Sequence, residues 1–445
     1  MKHRQPTTPP LREWLTVAFP NFAIALLLTM LFFASSTSVT AQGNETLPAG
    51  TLIIAMDNAN QDNSSSRVRR AYGLAVHLLH AGIPLKWIID PNKTNRTQTD
   101  FSASARRRYP TISGYATRNF RSGPIAIFPG FEAQAQSVIN SFGNGIRVYE
   151  LQNATSVDVN SNLTHKPKVL VEEDENPDIH TGILSNAGLV NGTHYERGSI
   201  TGINASSCFT LITVPHNEDI STAQRNGVKA FVRSGGNFFA QCAAVRGFQQ
   251  NSPRVFTNAG FVDEPGLGTF QYDNPTEPSA QFEGNIPDEG GSLEDFAFNT
   301  DPPGGTRIVH DSGNDFKAYT GRIDGFTGNS GGYVHYFGGH DHDGDIDSDR
   351  FYLNAVLRSA DRPEVCNITI ATVNAIDDSG VVDCGTDFID INVLSNDQDL
   401  ANNPPLTIQN LTNTTPGLGT FAVVSGQVRF TPSFSGTWEG PAIAT

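Results

Sequence analysis

The stretch RSGGNFFAQCAAVRGF, residues 233–248, decides the fold class that the sequence predicts. Small residues lead into the apolar run NFFAQC, which ends at Cys242 between alanines, where a helix is predicted to begin. A strand, a sharp turn that bears a nucleophile and a following helix make a nucleophile elbow, because the turn lifts the side chain clear and backbone N–H groups face the developing oxyanion. The stretch therefore leaves two interpretations of Cys242: a nucleophile or a buried thiol.

Apolar runs alternate with amphipathic segments on both sides of this stretch. The predicted strands are TLIIAM, LKWIID, PIAIF, IRVYEL, KVLVEE, CFTLITV, NFFAQC, TRIVH and GYVHYF. The predicted helices are AYGLAVHLLHAG, EAQAQSVINSF, DIHTGILSNAG, STAQRNGVKAFVRSG and DRFYLNAVLRSA. Apolar runs without alternation are typical of strands buried on both faces. The sequence therefore predicts an α/β fold with a flavodoxin-like parallel sheet and helices on both of its faces.

Changes in composition divide the chain into three parts. Residues 1–41 have basic residues before the run FAIALLLTMLFFA and predict a signal peptide cleaved after Ala41, since the apolar run is short for a retained membrane span. Residues 48–362 form the α/β domain, with halves at 50–151 and 167–362 and an insertion or long loop at 251–305. Residues 366–445 show short alternating strands and Gly and Pro turns, which predict an incomplete all-β sandwich.

Charge and cysteine content limit the possible partners and the means of stabilisation. The 445 residues carry a formal net charge of −15, which argues against a nucleic-acid partner. The basic cluster Arg106, Arg107 and Arg108 is expected on a solvated helix face. Four cysteines are too few for a disulfide-built scaffold. Cys366 and Cys384 are a candidate disulfide, whereas Cys208 and Cys242 could either pair or stay free.

The elbow stretch resembles that of class I glutamine amidotransferase-like domains, and the likeness extends over residues 50–362 as a fold. This chain has Ala240 and Ala244 where the family has glycines. The family also places a His and a carboxylate two residues later to activate the thiol, and no His-x-Glu follows Cys242. Candidate substitutes are His335, His340 and His342. The ligand-binding residues expected around the elbow are Gly235, Gly236, Gln241, Gly339 and Asp341.

Two further stretches carry resemblances. GGYVHYFGGHDHDGD followed by RFYLNAVL is similar to the closing strand, turn and final helix of trehalose-utilisation-type proteins, a branch of the same superfamily that generally lacks the amidotransferase triad. INVLSNDQD and GQVRFTP resemble bacterial Ig-like or cadherin-like repeats on exported proteins. The first resemblance implies a domain without catalysis, and the second implies an adhesion or spacer module.

The acidic run DHDGDIDSD, residues 341–349, is a candidate metal site. Asp341, Asp343, Asp345, Asp347 and Asp349 occupy alternate positions, and hard oxygen ligands on a tight Gly-containing loop suit Ca²⁺. The alternatives are a solvated acidic loop that caps the final helix at Asp347 or Asp349, and a transition metal held by His340 and His342.

The sequence as a whole predicts an exported protein, secreted or at the cell surface. Its α/β domain is expected to bind a ligand, such as a carbohydrate or another surface polymer, and no stable membrane span is expected after signal cleavage. The alternative is a thiol-dependent hydrolase or amidase that uses Cys242, with His335, His340 or His342 as base. The sequence alone does not decide whether the protein is an enzyme.

Overall fold

A computed structural model describes most of the chain between residues 43 and 433. The described residues are 43–143, 145–255, 269–288, 296–297, 305–311, 315–323, 331–342, 344–360, 362, 366, 373–374, 378, 380, 387–395, 397–399, 408, 411 and 418–433. The predicted signal peptide, Asp343 and Cys384 lie outside them.

Residues 44–163 form an eight-stranded sheet. Its strands are β1 (Asn44–Leu47), β2 (Leu52–Ile54), β3 (Leu85–Ile88), β4 (Thr99–Tyr109), β5 (Ala116–Arg121), β6 (Ile125–Ile127), β7 (Val148–Leu151) and β8 (Thr155–Leu163), with helices α1 (Ser65–His80) and α2 (Glu132–Phe142) between them. The order across the sheet is β1-β8-β3-β6-β2-β7-β4-β5. Every pairing in this sheet is antiparallel.

Residues 169–357 form a second sheet with a parallel and an antiparallel part. Its strands are β9 (Val169–Glu172), β10 (Tyr195–Gly198), β11 (Leu211–Val214), β12 (Asn237–Gln241), β13 (Gln271–Tyr272), β14 (Phe296–Ala297), β15 (Gly305–His310), β16 (Asp315–Arg322) and β17 (Tyr333–Phe337). The helices are α3 (Asp178–Asn186), α4 (Thr222–Arg233), α5 (Ala243–Gln249) and α6 (Ile346–Leu357), with a 3₁₀ turn at Pro278–Ala280. Strands β10, β9, β11, β12 and β17 lie side by side in parallel. Strands β16, β15 and β13 continue the sheet in antiparallel pairs, and β14 pairs with β16.

The predicted fold class is wrong. The structure is rich in strand, with large antiparallel sheets that include a curled half-barrel, and it is not a flavodoxin-like parallel sheet with helices on both faces. Strands β4 and β8 explain the error, because β4 contains the polar run SARRRY and β8 is the polar segment TSVDVNSNL. Arg106, Arg107 and Arg108 therefore lie on a strand and not on a helix face.

The main hydrophobic core lies between the two sheets, around α1 and α6. In β12, alternation sends Phe239 into this shared core, while Phe238 faces the separate cluster that α4 and α5 cover. In β2, Ile53 faces a third cluster on the other side of the first sheet. The two sheets are therefore held together by one continuous apolar layer.

A buried polar network also connects the two sheets. Arg350 on α6 is fully buried and donates to the Met56 carbonyl 2.8 Å away and to Asp347 Oδ1, also 2.8 Å away. Residues 269–288, within the predicted insertion, contribute Phe282 to the shared core. The predicted insertion is therefore, in part, a structural element of the core.

The described residues after Cys366 form two small groups of strands. Strands β18 (Val373–Asn374) and β20 (Gln398–Asp399) pair with each other, and β19 (Ile389–Ile391), β21 (Gly419–Val424) and β22 (Gln427–Pro432) form a three-stranded antiparallel sheet in the order β19-β22-β21. An Ig-like sandwich stays a prediction for this region. A membrane-crossing helix, long and apolar enough to span a bilayer, is not found among the residues described above.

The disulfide in the structure differs from both candidate pairings. Cys366 is bonded to Cys208, 158 residues earlier, and its Cα lies 5.1 Å from that of Cys208. This corrects the pairing of Cys366 with Cys384 and that of Cys208 with Cys242. The pairing could not be inferred from spacing, because it depends on the fold bringing the segment before β11 next to the segment after α6.

Candidate active site

The candidate site lies where the parallel strands β9, β11, β12 and β17 end. Parallel strands put their carboxyl ends at the same edge, so the residues that follow them converge there. Cys242 follows β12, His216 follows β11, and His340 follows β17. Glu172 is the last residue of β9.

Cys242 occupies a strained turn between β12 and α5. Its backbone has φ 52° and ψ −131°, a conformation that a residue with a Cβ rarely adopts and that costs on the order of 1–3 kcal/mol. The turn is anchored because the Cys242 N–H donates to the Phe337 carbonyl at 2.9 Å. The thiol is not disulfide-bonded, and the residue is fully buried. The geometry is that of a nucleophile elbow.

Two imidazoles lie close to the thiol. Cys242 Sγ lies 3.7 Å from His340 Nδ1, and His340 Nδ1 lies 3.0 Å from His216 Nδ1. The two rings stand edge to face with centroids 4.4 Å apart. Burial lowers the pKa of His216, and the neighbouring His340 lowers it further. His216 is therefore favoured in its neutral form, with a ring nitrogen available as acceptor.

Gln241 fixes the loop that carries His340. Its side-chain amide donates to the carbonyls of Gly339 and His340 at 3.2 and 2.8 Å, and its oxygen lies 3.1 Å from His180 Nε2. Gly339 has φ 96°, and a Cβ there would meet the His342 ring. The loop after β17 is therefore held against the elbow by a buried side chain and a glycine that its conformation requires.

Glu172 brings a carboxyl group to the same edge. Its Oε1 accepts from the Asn217 side chain at 3.2 Å and from the Asp174 N–H at 3.1 Å. Its Oε2 is buried and has no hydrogen-bond partner. Burial raises the pKa of Glu172 to about 7. A carboxyl group with this pKa can hold or release a proton near neutral pH.

A cavity of about 580 Å³ opens beside the elbow. Polar side chains form much of its lining, and they include Asn176, Asp178, Gln241, His340, Asp341 and Asp349. His340 belongs both to the cavity lining and to the contact with Cys242. A ligand in the cavity would therefore meet this imidazole before it reached the buried sulfur.

The structure brings some of the predicted site residues together and separates others. Cys242, Gln241, Gly339, His340 and Asp341 lie at the elbow or in the lining of the cavity. Gly235 and Gly236 precede β12 at its opposite end, about 20 Å away at ~3.3 Å per strand residue. Their place at the strand's start corrects their expected ligand-binding role.

His335 and His342 are core histidines in this structure. His335 is fully buried within β17, and its Nδ1 lies 2.9 Å from Thr320 Oγ1. Burial holds the pKa of His335 well below its usual value. Burial and the nearby Lys317 lower the pKa of His342 to about 3, and this ring stacks on Phe337. These positions correct the expectation that His335 or His342 could act as the base for Cys242.

The aspartates of the acidic run differ in their hydrogen-bond and ion-pair partners. Asp345 is the N-cap of α6 and accepts from the backbone N–H groups of Asp347 and Ser348. Asp347 accepts from the Glu283 and Gly284 N–H groups, both at 2.9 Å. Asp349 pairs with Arg69, and burial raises the pKa of Asp349 to about 6. Asp341 lies exposed at the cavity, and Ca²⁺ binding by the run stays a prediction.

Sequence reasoning missed His216, Asn217 and Glu172. Each lies directly at the end of a predicted strand or within three residues of it, in LITVPHN and KVLVE. The available signal was their position, because the ends of parallel strands converge whatever their separation in sequence. The adjacent pairing of β11 with β12 places His216 next to the elbow.

No family model matches the sequence, and no curated protein matches it. Solved structures with partial similarity include a ThuA-like protein from Bacteroides uniformis, with 13% identity and a TM-score of 0.32 over 43% of this chain and 90% of that chain. A cytoplasmic protein from Salmonella typhimurium gives 12% identity and a TM-score of 0.32 over 44% of this chain and 100% of that chain. The similarity covers part of the chain, and at this TM-score it carries no functional inference.

Proposed function

We propose that this edge of the second sheet is the active site of a thiol-dependent hydrolase or amidase, with Cys242 as its nucleophile. The observation that carries the proposal is the strained backbone of Cys242, which points its thiol toward His340 Nδ1, 3.7 Å away. Strained backbone persists where the surrounding structure imposes it, and it concentrates at reacting groups. The N–H groups of Ala243 and Ala244 belong to the first turn of α5, where backbone donors have no intrahelical acceptor.

The reaction follows from these positions. His340 Nδ1 accepts the thiol proton, and the sulfur attacks the carbonyl carbon of an ester or amide. The oxyanion that forms accepts hydrogen bonds from the first-turn N–H groups of α5. His340 returns the proton to the leaving alcohol or amine as the carbonyl re-forms, which leaves a thioester. A water molecule then adds to the thioester, and its proton passes through a base at the edge as the thiol leaves.

Glu172 is suited to the second half of this reaction. Its pKa of about 7 lets the carboxylate accept a proton from the water at neutral pH, and its Oε2 has no competing hydrogen bond. The chain thus replaces the His-x-Glu arrangement of the amidotransferases with groups from different strands.

The proposal is tested by measuring both the reactivity of the Cys242 thiol and the rate of ester hydrolysis. We expect iodoacetamide to label Cys242 at pH 7 and the chain to hydrolyse p-nitrophenyl acyl esters. Cys242→Ser should abolish both signals, whereas Cys384→Ser is the matched cysteine control and should leave both unchanged. His340→Gln should lower the rate by roughly 10²–10⁴-fold, the usual contribution of a general base. A Cys242 that stays unlabelled in the native protein would overturn the proposal.

A second candidate is ligand binding without chemistry, as on a carbohydrate or another surface polymer. The burial of the Cys242 sulfur and the polar lining of the cavity support it. Under this function, soluble glycans should raise the melting temperature of wild type and Cys242→Ser equally, with no ester hydrolysis. Hydrolysis that depends on Cys242 would decide against it.

We propose in addition that the chain is exported, as its first 41 residues predict. The disulfide between Cys208 and Cys366 supports this location, because disulfides persist in oxidising compartments and are rare in the cytosol. Expression of the full chain with a C-terminal tag, followed by cell fractionation, tests it. Recovery of the uncleaved chain in the cytoplasm would contradict export.

A further inference from the structure

We propose that Cys242, His216 and His340 form a three-ligand site for Zn²⁺ or a similar transition metal, and that the bound metal silences the thiol. The inference rests on the proposed thiol function, since it describes how that same site is regulated. It starts from His216, which the hydrolytic reaction does not need.

The arrangement of the nitrogens distinguishes a metal site from a proton relay. In a relay, the base contacts the nucleophile through one ring nitrogen and its orienting partner through the other. Here a single atom, His340 Nδ1, faces both Cys242 Sγ and His216 Nδ1. His216 therefore does not orient His340 in the way that a third triad member would. Its nitrogen instead points to the same small volume as the other two donor atoms.

The distances suit tetrahedral zinc. One ligand atom from each of the three residues lies within 4.8 Å of the others. Zinc bonds of about 2.3 Å to sulfur and about 2.0 Å to nitrogen place tetrahedral ligands about 3.5 Å apart for S···N and about 3.3 Å apart for N···N. The separations here are 3.7 Å from Cys242 Sγ to His340 Nδ1 and 3.0 Å between the two Nδ1 atoms. These two separations differ from the zinc values by a few tenths of an ångström, and the ligand atoms of Cys242 and His216 lie within 4.8 Å of each other.

The surroundings leave a fourth position for water or substrate. The thiol is buried, whereas His216 and His340 are both half-buried, and His340 lines the cavity. Thiolate and imidazole are ligands that zinc prefers, and three protein ligands with one open position are typical of catalytic zinc sites. The bound metal would hold Cys242 as a thiolate. The sulfur electron pair would then be used in the bond to the metal and could not attack a carbonyl carbon.

Zinc protection of the thiol tests the inference in the full chain. We expect stoichiometric Zn²⁺ to block iodoacetamide labelling of Cys242 and EDTA to restore it. Co²⁺ in place of Zn²⁺ should give a sulfur-to-cobalt charge-transfer band in the near ultraviolet, which Cys242→Ser should lack. Labelling that is unchanged by Zn²⁺, together with no charge-transfer band, would overturn the metal site and leave the thiol function standing.

Variants of His216 separate ligation from a structural role. His216→Gln should weaken Zn²⁺ binding by roughly 100-fold or more, since even outer-shell changes cost 10–100-fold. His216→Cys supplies another zinc ligand and should restore binding, which a purely structural role does not predict. His77→Gln is the matched control, a half-buried histidine on α1, and should bind Zn²⁺ as wild type does. Undiminished binding by His216→Gln would overturn the three-ligand site, whereas an unreactive Cys242 without metal would overturn the thiol function itself.

Discussion

The two large sheets, formed by residues 44–163 and 169–357, place their polar side chains differently. In the antiparallel first sheet, neighbouring strands run in opposite directions, so the residues after successive strands lie at opposite edges. In the parallel part of the second sheet, the residues after β9, β11, β12 and β17 lie at one edge, and Glu172, His216, Cys242 and His340 gather there. Strand direction, more than residue content, thus decides where a reacting centre can form.

The two regions nevertheless share a core. Phe239 on β12 packs against Tyr352 of α6, with ring centroids 5.1 Å apart, and both belong to the apolar layer that also contains α1. Phe120 on β5 belongs to the separate cluster of the first sheet and stacks on Phe101 at 4.8 Å. Whether the two large sheets unfold in one transition therefore tests how strongly the shared apolar layer couples their stability.

The largest expected effect comes from truncating these two phenylalanines. Phe239→Ala and Phe120→Ala should each lower the free energy of unfolding by about 3–5 kcal/mol, because each leaves a cavity in a filled core. Urea unfolding followed by both far-UV circular dichroism and tryptophan fluorescence should show one transition, shifted in both variants. Val190→Ala, at a side chain 50% exposed, is the control and should change little. A second transition that moves in one variant alone would show that the sheets unfold separately.

An intermediate effect on the free energy of unfolding is expected on acidification, from the two buried histidines His165 and His194. Burial lowers the pKa of His165 to about 4, and burial with the neighbouring His77 and His80 lowers that of His194 to about 3. Both values lie below the unfolded value near 6.5, so the unfolded state binds more protons and stability falls as the pH drops from about 6.5 toward 4.

Replacing His165 isolates its share of this acid sensitivity. Between pH 6.5 and pH 5.5, His165→Gln should lose about 1 kcal/mol less stability than wild type, because one pH unit changes the proton-binding free energy by about 1.4 kcal/mol. Chemical unfolding at each pH gives the two slopes, and values at pH 8 correct for lost packing. Identical slopes in the two proteins would contradict the assignment.

The smallest effect is expected at the N-terminus of α6, next to the candidate site. Asp345→Ala removes the side chain that accepts from the Asp347 and Ser348 N–H groups and should cost about 1 kcal/mol. Asp345→Asn keeps an acceptor and is the matched control. Thermal unfolding measures both variants, and a similar loss in Asp345→Asn would assign the effect to charge and not to capping.

The sequence identifies the buried strands of the second sheet well, because both of their faces are covered. The strands LITV and NFFAQ, the second with the apolar centre FFA, match β11 and β12 and are buried along their whole length. The polar residues of β4 and β8 are equally typical of a loop or of an exposed helix face. The pairing of these strands into an antiparallel sheet could therefore not be inferred. The fold class was predicted wrongly because the fully buried strands could be recognised from the sequence and the polar strands could not.

The candidate site divides in the same way. Cys242 and His340 could be predicted, since each lies in a motif that has a local signature. His216 and Glu172 belong to no motif, and only the order of strands across the sheet brings them to the elbow. The sequence could not have given that order, because it depends on which strands pair.

The disulfide between Cys208 and Cys366 determines how mechanical load would enter the molecule. Tension applied to the chain beyond residue 366 passes through the disulfide to the segment just before β11, and it bypasses the covalent path through α6. The loop after β17 that carries His340 lies within the bypassed segment, between residues 208 and 366. The thiol of Cys242 and the imidazoles of His216 and His340, all between residues 208 and 366, would therefore keep their positions while the chain beyond residue 366 bears force.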